Sequence, residues 1–228
     1  MKTMMIAAVT LAGLMWMGSG FADESVSPEA GPDLAPLAIE LPPAYYGGTP
    51  ATHYSPALEP EDYKDRAPYF VPKGTELVSR GKPVTSSAGK PILGDLKQIT
   101  DGDKQYIKKS VVELASGLQW VQIDLEREFT IYALLLWHSY EHKRVYLDMV
   151  VKVGNDPEFK DGGTVVYNND YDNSAGLGVG KDGEYVEKDK GRLIGIPDGV
   201  KGRYVRLHSQ GNCDNELNHY VEVEVFGK

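Results

Sequence analysis

The chain has 228 residues, 41% hydrophobic and 25% charged, enough for one domain with a real core but not for two large ones. Its formal net charge of −9 comes from scattered acids, and no Lys/Arg stripe occurs in it, which excludes the counterion-displacing surface of a nucleic-acid binder. Cys213 is the only cysteine, so no disulfide can form within the chain and packing alone must hold the fold.

The first segment reads as a secretory leader. Lys2 supplies the positive end, Met4 to Met17 is almost unbroken apolar sequence, and Gly18-Ser19-Gly20-Phe21-Ala22 offers small residues for a cut after Ala22. The apolar run is shorter than the roughly 20 residues that span a bilayer. No cysteine follows it to carry a lipid anchor. The mature chain is therefore expected to start near Asp23 and to be secreted or periplasmic.

Residues 23 to 71 form a Pro/Tyr-rich arm or linker. Ten of the 14 prolines fall between positions 28 and 72, and proline favours extended chain without backbone donors. The part before about Leu41 reads as disordered. Tyr45, Tyr46, Tyr54, Tyr63 and Tyr69 make the rest too aromatic for a plain spacer, and packing of these rings along the folded domain is the preferred reading.

From Thr75 onward the texture is all-β. Short strand candidates separated by Gly, Asp and Asn run over 119–125, 129–138, 145–153, 164–167, 203–209 and 220–226. Val121, Ile123 and Leu125 share one face, as do Val205 and Leu207, and Val221, Val223 and Val225. Ala133-Leu134-Leu135-Leu136-Trp137 is apolar on both faces, the mark of a central strand. No helical period and no repeat is found. A sandwich or barrel follows.

Several of these stretches, in order, resemble the discoidin family, also called F5/8 type C or galactose-binding-like domains. They are Leu77-Val78-Ser79-Arg80-Gly81-Lys82-Pro83-Val84-Thr85-Ser86-Ser87, Ile99-Thr100-Asp101-Gly102-Asp103, Gln119 to Leu125, Asn155-Asp156-Pro157-Glu158-Phe159, Gly202 to Leu207 and Val221 to Gly227. The resemblance covers residues 72 to 228. The chain departs from it at Glu126, where the family usually has glycine, and in a Gly/Asn/Asp-rich insertion over 168–191. It implies a jelly-roll β-sandwich that is not an enzyme and binds its ligand, most often a carbohydrate, with loops at one end.

The resemblance also implies a structural calcium between the Asp-Gly loop and the last strand, with Asp101, Asp103 and Glu222 at the matching positions. Hard carboxylate oxygens suit that ion. The hydroxyl residue expected after the loop is replaced by Lys104-Gln105-Tyr106, and the alternative is a plain Asp-Gly turn beside a surface glutamate. Asn169-Asp170-Tyr171-Asp172-Asn173 is acidic too but lacks an EF-hand pattern.

Sugar recognition needs a flat apolar face and fixed polar groups. The loop after Trp137 offers both, and sugar-binding relatives point to His138 and Tyr140, with His142 and Arg144 beside them. His138 and Tyr140 are expected at the rim, where truncation of Tyr140 to alanine abolishes sugar binding and shifts stability by under about 1 kcal/mol. A second polar cluster comprises His208, Asn212, Asn215, Asn218 and His219. The bland readings are a core Trp137, an Arg144–Asp148 pair and asparagines that serve their own turns. No nucleophile elbow, zinc motif, P-loop or dinucleotide fingerprint occurs, so catalysis is not expected. Two functions stay open: a carbohydrate-binding module, or an adhesion or scaffold module with a protein partner. A membrane-surface role is weaker, because no loop pairs exposed Leu, Phe or Trp with basic neighbours. Sequencing of the exported protein is expected to return Asp23 or an adjacent residue as its first; Met1 would contradict the leader.

Overall fold

The structure, a computed structural model, describes residues 31–45, 47–48, 52–106 and 109–228. The leader and its cut site lie outside the described residues. Eleven strands occur among them: β1 Leu34–Pro36, β2 Phe70–Pro72, β3 Glu76–Leu77, β4 Val84–Ser86, β5 Val112–Leu114, β6 Gln119–Trp137, β7 Val150–Gly154, β8 Thr164–Asn168, β9 Arg192–Ser209, β10 Asn218–Tyr220 and β11 Glu222–Gly227. Among the described residues the one helical turn is a 3-10 segment at Leu96–Thr100, started by Asp95, whose side chain accepts from the Lys97 amide.

Two long strands organise the rest. β6 pairs with β9 antiparallel along nearly its whole length, with register shifts between Asp124 and Phe129 and between Ile131 and Ala133. Bulges of this kind bend a strand and raise its twist. The first half of β6 carries β4 on its free side, and the second half carries β11 and then β3. β7 and β8 extend the other flank of β9. Bending brings the halves face to face around Val121, Ile123, Leu125, Leu134, Leu136, Val151, Val205, Val223 and Val225, all at most 1% exposed. The antiparallel β-sandwich expected from the alternating pattern is what forms. Two candidate strands merge into β6, and β9 begins at Arg192, eleven residues before the expected Arg203, because the Pro197-Asp198-Gly199 corner is carried within the strand.

The first corner of β6 lies at Glu126, whose φ is 68°. A side chain is disfavoured there and glycine is not. The departure from the family's glycine thus falls at a position that demands left-handed backbone. Glu126 is held by its amide, which donates to Asp124 Oδ1 at 2.7 Å, and by Lys82, whose ammonium meets its carboxylate at 2.5 Å.

The outer face of the β11/β6/β9 half is covered by the arm. β1 pairs with β2, placing Leu37, Ile39, Tyr69 and Val71 on Ala133, Leu135, Trp137, Phe226 and Leu193. Tyr69 fits because Gly195 stands opposite; a Cβ there would lie 2.7 Å from the ring. Residues 34–39 are thus paired or packed where disorder was expected, since the apolar outer face offers Leu37 and Ile39 a burial that the local composition does not reveal. Of the arm tyrosines, Tyr69 is buried and Tyr45 lies against Tyr106 and Tyr140, whereas Tyr54 and Tyr63 stay 91% and 71% exposed.

Candidate functional site

The loops at 138–149, 169–191 and 210–217 all leave the same end of the sandwich, since each begins or ends beside the paired residues Trp137, Val150, Asn168, Arg192 and Ser209. The arm crosses this end. Gly48 bridges to His142 and Leu58 to Glu184. His53 Nε2 meets Glu184 Oε2 at 2.9 Å, and Glu59 takes both Arg192 Nη atoms at 2.7 Å. Arg66 donates to the carbonyls of Lys190 and Gly191.

Between arm residues 59–67 and segment 185–192 runs a groove of about 610 Å³. Its walls carry Glu59, Glu61, Asp62, Lys64, Asp65 and Arg66 from the arm and Lys188, Lys190 and Arg192 from the body. Most charges are matched: Lys190 lies 3.0 Å from Asp65, and Lys188 and Lys143 lie 3.5 and 3.2 Å from Glu61. Burial alone would raise the Glu61 carboxyl, but hydrogen bonds from Tyr63 and Lys143 and the two lysine charges hold it below its ordinary range. Tyr63 stands beside the groove. Its hydroxyl donates to Glu61 at 2.7 Å, and the Lys188 ammonium sits 4.3 Å from its ring centroid. A held aromatic ring, mostly open to solvent, therefore adjoins a trough of fixed donors and acceptors.

The residues singled out from the sequence lie mostly elsewhere. His138 is fully buried, stacked 4.1 Å from Tyr146, with Nδ1 3.0 Å from Glu187 Oε2. Tyr140 is 3% exposed; its hydroxyl donates to the Lys104 carbonyl at 2.6 Å and accepts from the Tyr106 amide at 2.8 Å. The rim placement expected for both is corrected. Tyr45 and Gly47 of the arm lie against Tyr140, and Tyr146, Tyr220 and Glu187 pack on His138, so the end of the apolar run at Trp137 is not the point where the chain surfaces. Of that loop, His142 stays exposed. Arg144 is buried and pairs with Asp214 at 2.9 Å, not with Asp148.

The second polar cluster also turns inward. His208 is buried against the Val150 carbonyl, and burial pushes its imidazole down to about 4. Asn212 Oδ1 accepts from the amides of Asp214 and Asn215, and Asn215 Oδ1 accepts from Leu217, so these side chains serve their own turn. Asn218 donates to the carbonyls of Ala115 and Gly117. His219 bridges Tyr146 and Glu113 at 3.1 and 3.2 Å. Cys213 accepts from the Val145 amide through its sulfur.

Of the expected calcium set, Glu222 is 1% exposed and its Oε2 accepts from the Gly102 amide at 2.9 Å. Its Oε1 is buried without a partner. Burial, then the Glu224 and Asp101 charges, push this carboxyl up to about 8. Asp103 points instead to Ser110 Oγ, at 2.7 Å. The three carboxylates surround one loop without their oxygens converging as a set. Among the described residues, Asp148, Asp170 and Asp172 do converge, within 4.8 Å of one another. Burial, followed by its acidic neighbours, raises Asp148 to about 6.

Sequence reasoning missed the groove. The available signal was the charge complement between Glu61-Asp62-Tyr63-Lys64-Asp65-Arg66 and Lys188-Asp189-Lys190-Gly191-Arg192.

No family model and no curated protein matches the chain. Among solved structures it is similar to the CBM32 of AlyQ in complex with 4,5-unsaturated mannuronic acid, at 18% identity and a TM-score of 0.48, over 66% of this chain and 95% of that one. It is also similar to chitosan-binding module 1 of the chitosanase/glucanase from Paenibacillus sp. IK-5, at 19% identity and 0.46, over 67% and 99%. A third is the fucolectin of striped bass (Morone saxatilis) serum, at 16% and 0.46, over 68% of this chain and about half of that one, 49%.

Tyr140→Phe should lower the unfolding free energy by about 1–3 kcal/mol, since the Lys104 carbonyl and Tyr106 amide lose their partner. Tyr140→Ala should cost about 3–5 kcal/mol. Urea denaturation measures both, and a loss under about 1 kcal/mol for the alanine variant would contradict the burial described.

Proposed function

We propose that this is an exported, non-catalytic carbohydrate-binding module of discoidin type, and that its glycan lies in the groove between the arm and residues 185–192. The observation that carries the reading is Tyr63 held open at the groove edge beside ordered polar groups. A sugar ring needs an aromatic face to stack on and preplaced partners for its hydroxyls. Because lysines and arginines already pin the groove, little ordering entropy is lost on binding. Glu59 is paired with Arg192, and Glu61 with Lys143 and Lys188, an arrangement that suits binding.

A structural calcium belongs to this reading, with Glu222 and Asp101 as side-chain ligands. The unpartnered Oε1 of Glu222 fits a hard cation, whose binding would supply the counter-charge that this carboxylate otherwise lacks. Asp103, tied to Ser110, fits less well. Among the described residues no helix is long and apolar enough to cross a membrane.

A protein partner is the second reading, favoured by the burial of Tyr140 and by the exposed apolar side chains Ile92 and Leu93 at 63% and 39%. A glycan array with the mature protein separates the two. Binding that Tyr63→Ala weakens at least about tenfold, with stability changed by under about 1 kcal/mol, supports the groove. Glycan binding indifferent to Tyr63→Ala would sink it, and an array without hits would favour the protein partner. For calcium, chelation by EDTA should lower the melting temperature. An unchanged melt, with elemental analysis showing no trapped ion, would refute the site.

A further inference from the structure

Glu222 and Glu224 alternate along β11 on the face that also carries Leu135 and Trp137 of β6. Both are almost fully buried, at 1% and 2%, and each keeps one oxygen without a partner, Oε1 of Glu222 and Oε2 of Glu224. Two buried carboxylates with orphaned oxygens are costly unless a cation compensates them. The chain brings two of its own. Lys104, 6% exposed, meets Glu224 Oε1 at 2.8 Å, donates to the Glu40 carbonyl of the arm, and lies 5.2 Å from the Trp137 ring centroid. It is enclosed on every side and cannot leave without the arm.

The second cation is held differently. Arg80 lies flat on Gly102, so closely that a Cβ at that residue would be 1.5 Å from Nη1. Only glycine permits this approach, and Gly102 is also in left-handed backbone, with φ 89°. Arg80 Nη1 donates to the Asp101 carbonyl at 3.0 Å, and Nη2 stands 3.9 Å from Glu224 Oε1, beyond hydrogen-bond reach. The Arg80 side chain is 48% exposed. The guanidinium therefore covers the Asp101–Gly102 turn, whose amide holds Glu222, by one neutral hydrogen bond and a loose ion pair.

We propose that Arg80 is a tethered competitor for the divalent cation: it stands in for the ion over the Glu222 pocket and must swing into solvent before calcium can reach Glu222 and Asp101. The proposal rests on the calcium reading given above. A like charge a few ångströms from the ion opposes its binding, and more strongly where carboxylates are buried than in water. An exposed arginine with one fixed contact is free to move, so the competition is reversible and lowers calcium affinity without abolishing it.

The test is calorimetric titration of calcium chloride into metal-free mature protein, for wild type, Arg80→Gln, and the double variant Arg80→Gln/Glu222→Gln. The proposal expects Arg80→Gln to bind calcium about tenfold or more tighter than wild type, and the double variant to lose that gain. Binding by Arg80→Gln with none by wild type would overturn both the reversible competition and the calcium reading for the natural protein. Equal affinity of wild type and Arg80→Gln overturns the competition and leaves the calcium reading standing. No binding by either overturns both. Because Arg80 is half exposed, the glutamine variant is expected to fold, which melting of the metal-free proteins checks; Arg80→Ala provides a second variant of the same sign.

Discussion

Ala133 to Trp137 is apolar on both faces, so the half of the sandwich that contains it has to be covered twice. Leu134 and Leu136 meet the inner core, and Ala133, Leu135 and Trp137 face outward. Burying a side chain of Leu or Phe size is worth about 1.5–3 kcal/mol. An open outer face would forfeit several times that. The segment that precedes the sandwich supplies the cover, with β1 and β2 laid across the outer face through Leu37, Ile39, Tyr69 and Val71. A proline-rich composition suits this job. The two strands of this layer need only pair with each other, and Pro36 and Pro72 leave no amide there to satisfy.

Once that layer is fixed, the loop end of the molecule follows. Between Leu37 and Tyr69, the described residues Tyr45, Gly48, Leu58 and Glu59 meet loops 138–149 and 184–192. In doing so the arm lays Tyr45 and Gly47 against Tyr140. It also sets Glu59, Glu61, Asp65 and Arg66 against Arg192, Lys188, Lys190 and the Lys190 and Gly191 carbonyls, and so creates the groove. Lys104 ties the two regions together, with its ammonium shared between Glu224 of the last strand and the arm at Glu40. The groove, the burial of Tyr140 and the Lys104 link between arm and last strand thus follow from one packing requirement.

The alternating triplets Val121-Ile123-Leu125 and Val221-Val223-Val225 made the sandwich legible, because a period of two with one buried face has few other solutions. The two-faced run was legible as well, but what covers it was not. Composition marks Leu34 to Ile39 as linker-like, and only the distant, sheet-borne partner makes it a strand. A polar side chain after an apolar run reads as the surface, but the arm covers Tyr140, and Tyr146, Tyr220 and Glu187 enclose His138. The asparagines at 212 and 215 were read with both a functional and a turn-forming alternative, and the turn-forming one describes their hydrogen bonds. The groove joins residues more than a hundred positions apart whose charges complement each other, and local spacing carries no such information.

The docked arm is the claim on which the rest stands. It is tested most directly by hydrogen exchange of the mature protein at the amides of Leu37, Glu59 and Lys73. These amides donate across the arm to Tyr69, Glu184 and Asp33 at 2.7, 2.8 and 2.9 Å. A docked arm predicts exchange slowed by orders of magnitude relative to the free-chain rate, with Leu37 and Lys73 approaching the protection of the β6–β9 ladder. Exchange at the free-chain rate at all three, with the ladder still protected, would show a loose tether and contradict the account.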